Sequence, residues 1–84
     1  MSIAIPLIHS NGTSRGELCR QLEEASHALT AALEALQGTC PNGRDYYPQG
    51  PDATQEALRQ HANRLHNLMA VQKELQEIYE GIAE

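Results

Sequence analysis

Two long helical patterns are separated by the stretch Cys40-Pro-Asn-Gly-Arg-Asp-Tyr-Tyr-Pro-Gln-Gly-Pro51. Nothing else in the sequence constrains the fold as strongly. A helix does not run through three prolines and two glycines, because proline removes a donor and clashes with the preceding turn. The chain therefore turns back here. A helix–helix connection needs only about 2–8 residues. This one is longer, and it holds two of the three tyrosines in a chain without Phe or Trp. A proline-braced connection that carries most of the aromatic surface reads as a built surface rather than a spacer.

On the N-terminal side, Ser14 and Glu17 form the S-x-x-E capping pattern, so a helix starts near Arg15. Leu18, Leu22, Ala25, Leu29, Ala32 and Leu36 follow at alternating steps of four and three, a seven-residue seam. Leu33 widens the apolar face, and Ala28, Ala31 and Ala35 line its flanks. Gly38 and Pro41 end the run. After Pro51, Asp52 and Gln55 open a second helix. Its apolar positions are Leu58, Ala62, Leu65, Leu68, Met69, Leu75, Ile78, Tyr79 and Ile82. Gln72 falls on that seam, either as a rim residue or as a buried polar group that fixes register. Glu77, Glu80 and Glu84 oppose the negative end of the helix dipole, which predicts a frayed last turn or a cationic partner there.

The fold class expected is all-α. One domain, residues 1–84, divides into an arm and turn (1–13), a first helix (14–38), an ordered loop (39–51) and a second helix (52–83), arranged as an antiparallel hairpin. Ile3 and Ile5 alternate with Ser2 and Ala4, but Pro6 limits residues 1–9 to an edge strand or an extended arm. Its large aliphatic residues call for packing on the hairpin or on a neighbour. Two helices share only one seam, and the apolar inventory is ten Leu, five Ile, one Val and two Met. Burial against another copy is the natural remedy, so a homo-oligomer is expected.

A net charge of −5 argues against long nucleic acid, which demands many cations to displace counterions. No apolar run reaches 18 residues, so no membrane partner is expected, and no cationic and apolar leader opens the chain. Cys19 and Cys40 lie at opposite ends of the first helix, too far apart for a disulfide. They read as reduced thiols of a cytoplasmic protein. His9, His27, His61 and His66 are dispersed, and His61 and His66, five apart, point to different faces. No nucleophile–base pair and no metal-ligand spacing emerges. The expectation is therefore no enzyme, no cofactor and no metal.

Two segments remain as candidate ligand sites. Asn11, Gly12, Thr13 and Ser14, with Arg15 behind them, bring free amides and hydroxyls to a helix N-terminus, the chemistry of an anion cradle. The same residues also serve as a turn and cap. In the loop, Arg44 can clamp a phosphate or carboxylate, and Tyr46 or Tyr47 can stack on a base. The alternative there is an Arg44–Asp45 pair and a tyrosine lid that hold the loop down. In one hairpin the two segments lie at opposite ends. An antiparallel neighbour would unite them in a composite site.

The segments Ile5-Pro-Leu-Ile-His-Ser-Asn-Gly-Thr-Ser14 and Asn42-Gly-Arg-Asp-Tyr-Tyr-Pro-Gln-Gly-Pro51 resemble those of a group of small proteins encoded by bacteriophages and prophages. The resemblance spans nearly the whole chain and implies a phage product acting in the bacterial cytoplasm. Small helical phage proteins include counter-defence factors. Some sequester nucleotide-derived signals between subunits, and others block a host protein. The expected function is sequestration of a small nucleotide-derived signal through Asn11, Gly12, Thr13, Ser14, Arg44, Asp45, Tyr46 and Tyr47. The alternatives are an inhibitor of a host defence protein that uses the acidic helix surface or the apolar arm, or a phage assembly component.

Overall fold

The computed structural model describes residues 3–83. Two helices, α1 (Arg15–Gln37) and α2 (Ala53–Ala83), form a helical hairpin. Two 3-10 turns, Gly43–Asp45 and Tyr47–Gln49, shape the loop between them. No strand occurs among the described residues; residues 3–9 run as an extended arm.

Local chemistry sets the helix ends. Ser14 has extended backbone and its Oγ accepts from the Glu17 amide at 3.2 Å, which satisfies one orphan donor of the first turn. At the other end Gly38 keeps a right-handed backbone (φ −66°) rather than the left-handed glycine stop. The last carbonyls are instead satisfied by tightened turns: Gly38 donates to Ala35 O at 3.1 Å, and both the amide and the hydroxyl of Thr39 donate to Leu36 O. Among the described residues, Gly50 alone has a positive φ (118°), at the entry to α2. A side chain there would be strained, because a Cβ disfavours that region.

The two helices face each other along matching stripes. On α1 these are Leu18, Leu22, Ser26, Leu29, Leu33 and Leu36, all half-buried. On α2 they are Ala57, His61, Leu65, Leu68, Gln72, Leu75, Tyr79 and Ile82. The stripe differs from the most apolar line in the sequence. Ala25, Ala32 and Ala62 are exposed, as are Leu58 and Met69 (36% and 56%), while Ser26 and His61 turn inward. Polar bonding accounts for the rotation. Gln72 Nε2 donates to Thr30 Oγ1 at 2.8 Å and to Ser26 O at 3.2 Å, so Gln72 is a cross-helix register pin and not a rim residue. Tyr79 Oη donates to Glu23 Oε1 at 2.9 Å and fixes the same rotation nearer the end.

The anionic end of α2 receives its cation from within the chain. Arg15 Nε donates to Ile82 O at 2.8 Å, a charged donor on a terminal carbonyl. The arm closes the same end. A Cβ on Gly81 would sit 2.9 Å from Ile5 Cγ2, so a side chain at 81 would push Ile5 from its present position. Ile82, beside Gly81, is 2% exposed.

Burial elsewhere is slight. Ala57, His61 and Ile82 are the buried residues among those described, and α1 contributes none. The radius of gyration is 18.4 Å and the extents are 61 × 25 × 18 Å. A compact chain of this length would have a radius near 12 Å. The molecule is a rod with a seam and no enclosed core.

Candidate functional site

The loop end is built by short-range bonds. Asn42 Oδ1 accepts from the Arg44 amide at 3.0 Å, and Asn42 O accepts from the Asp45 amide at 2.9 Å. Tyr46 N donates to Gly43 O at 3.0 Å and Gln49 N to Tyr46 O at 2.9 Å. Pro48 sits inside the second turn, where its fixed φ suits the conformation. The second turn packs on α2. Tyr46 is half-buried, whereas Tyr47 stands 73% exposed. Arg44 and Asp45 are exposed, and their side chains make no hydrogen bond or ion pair with the described residues. An Arg44–Asp45 clasp therefore does not hold the loop. The backbone turns do, and the guanidinium is left available.

Asn11, Gly12, Thr13 and Ser14 lie at the far end, exposed, ahead of Arg15. Ser14 Oγ is occupied as the cap, which leaves Thr13 and Asn11 as the polar side chains facing solvent. The 23 residues of α1 separate this turn from Arg44, a span of about 35 Å at 1.5 Å per residue. The candidate residues thus form two groups, four at each end, and one chain does not bring them together.

Between the ends lies a cleft that the sequence pattern does not single out. Leu22, Glu23, Ser26, His27, Gln76 and Tyr79 line it, with a volume of about 130 Å³. That is below the usual range of small-molecule pockets, roughly 300–1,000 Å³. Its chemistry is the Tyr79–Glu23 bond. The carboxylate that accepts from the phenol pushes the Tyr79 pKa up. The signal in the sequence was Tyr79 itself, a seam residue with a polar tip that must find a partner.

Exposed ion pairs decorate both helices. Arg20, then Gln21, bonds Glu17 and holds its carboxyl down at about 2; Arg59, then Gln60, does the same for Glu56. No group of three or more His, Cys, Asp or Glu converges as a metal site among the described residues, and no helix is long and apolar enough to cross a membrane. No family model, curated protein or solved structure matches the chain.

Proposed function

We propose that the protein is a non-enzymatic, oligomeric binder that sequesters a small nucleotide-derived signal, acting as a phage counter-defence factor in the bacterial cytoplasm. The observation that carries the reading is the state of the loop. Arg44 and Tyr47 are presented on backbone-locked turns, yet packing consumes neither side chain. An unpaired guanidinium suits a phosphate, and an exposed phenol ring suits a base. In this reading the helices run antiparallel, because residues early in α1 bond to residues late in α2. A second copy then supplies the Asn11–Ser14 turn, whose amides complete the anion site. Tyr46 offers a second aromatic face beside Tyr47 in the chain, and Asp45 accepts from a ribose or base.

Isothermal titration with cyclic nucleotides and ADP-ribose tests the reading. The expected result is saturable heat with at least one of them, weakened tenfold or more by Arg44→Ala or Tyr47→Ala. Flat traces with the whole panel overturn it. A second reading, capture of a host protein, draws on Glu77 and Glu80, both exposed on the outer side of α2. It predicts a co-purifying bacterial protein that Glu77→Lys releases.

A further inference from the structure

The cleft between the helices holds polar groups that the loop reading leaves unused. Its floor is the half-buried Leu22, Ser26 and Tyr79, and its rim is the exposed Glu23, His27 and Gln76. The acceptors there are only partly engaged. Glu23 Oε1 accepts from Tyr79 Oη, which leaves Oε2 and the negative charge. Gln76 gives a donor to Glu80 Oε1 at 3.1 Å, and its own carbonyl oxygen stays open. Ser26 adds a hydroxyl.

No cation of the chain neutralises this carboxylate among the described residues. Arg20, one turn back on α1, is shared between Glu17 and Glu24. Lys73 lies in the adjoining groove with Ser26 and Gln76 but forms no ion pair. The cleft is thus rich in acceptors and carries one uncompensated charge, in a chain whose net charge is −5.

We propose that this cleft binds a guanidinium group, either of a small free guanidine or of an arginine side chain. Size sets the first limit. A cavity of about 150 Å³ holds a molecule as large as benzene, so one of about 130 Å³ admits a planar head group and little more. Charge sets the second: Glu23 repels an anion and favours a cation. Donor number sets the third. A guanidinium presents five donors in a fixed fork and no acceptor, which suits Glu23 Oε2, the Gln76 carbonyl oxygen and Ser26 Oγ together. Its flat face also stacks on an aromatic ring, here that of Tyr79. An ammonium brings fewer donors and holds its water more tightly; Lys73 stays outside the cleft from one groove away. The site draws on neither Arg44 nor a second copy, so it stands apart from the nucleotide reading.

A proton NMR titration of the full chain, without nucleotide, tests it. Tyr79 reports the cleft, and Tyr46 and Tyr47, in the loop at the other end of α2, serve as internal references. Methylguanidinium is expected to shift the Tyr79 ring and Gln76 amide signals saturably, with a millimolar Kd. Methylurea, its neutral counterpart, is expected to bind at least about tenfold more weakly. Glu23→Gln keeps an acceptor for Tyr79 and should weaken methylguanidinium by at least about tenfold. Should Glu23→Gln lose helicity, Gln76→Ala, at an exposed position, gives the same reading through a loss of about threefold. A blocked arginine tripeptide that binds more tightly than methylguanidinium assigns the group to a protein side chain; equal or weaker binding assigns it to a free guanidine. Equal binding of methylurea, equal shifts at all three tyrosines, or undiminished affinity in the folded variants would overturn the proposal.

Discussion

The two ends of the rod use their residues in opposite ways. At the arm end the contacts run between side chains and the last turn of α2: Ile5 lies against Gly81, Ile82 is sealed, and Arg15 bonds the Ile82 carbonyl. At the loop end the backbone is tied just as firmly by two 3-10 turns, but Arg44 and Tyr47 project free. The comparison teaches that order and engagement are separable. A segment whose backbone is locked while its chemically capable side chains stay unpaired has the form of a binding surface. A segment whose side chains are interlocked has the form of a fastening.

Substitutions that break the fastening should have the largest effects. Ile82→Ala removes the most deeply buried large side chain and should cost about 2–5 kcal/mol in denaturant unfolding. Arg15→Met keeps the stem but loses the charged bond to Ile82 O. It should cost about 0.5–1.5 kcal/mol, with hydrogen-exchange protection lost first in the last turn of α2. At the loop end, Arg44→Ala and Tyr47→Ala should each shift stability by no more than about 0.5 kcal/mol, because neither side chain is engaged. A large loss of stability at either loop position would erase the contrast.

Titration should produce the smallest effects, because the groups concerned stay in contact with solvent. Glu17 and Glu56 titrate lower in the folded chain than unfolded, so their contribution is present above the ordinary carboxylate range. It is lost as pH falls toward about 2. Tyr79 has the opposite sign: its folded value lies above 10.0, so its contribution holds below that pH and is lost as pH rises through the higher folded value. A Tyr79→Phe variant should lessen the alkaline loss in a thermal-melt series and leave the acid limb unchanged.

Much of the architecture was legible in the sequence, because caps and periodicity are local. Ser14, Glu17 and the proline-braced segment mark the helix ends through short-range chemistry. The stripe each helix turns inward was less legible. Apolarity alone selects Ala25, Ala32, Leu58 and Met69, whereas the structure turns in Ser26 and His61; Gln72 was placed on the seam by its spacing, and the structure supplies its partners. Rotation is set by bonds between residues some 42–56 positions apart in the chain, and no local pattern encodes those. His61 is the sharpest case: it is 6% exposed as a residue, yet no buried side-chain nitrogen or oxygen among the described residues lacks a partner, so its ring body packs on the seam while its nitrogens reach solvent. His61→Leu should therefore shift stability by no more than about 1 kcal/mol in denaturant unfolding, since it keeps the packed body and breaks no hydrogen bond. The candidate site was legible as two segments, and its separation into two ends followed from the hairpin itself.

The account depends on the rod's being half of a larger object. Sedimentation equilibrium of the full chain at micromolar concentration, without ligand, measures this directly. The predicted result is a particle of twice the 9.2 kDa chain mass, converting to single chains only as helicity and protection of the α1 amides decline. A fully helical single chain that persists at every concentration would contradict it.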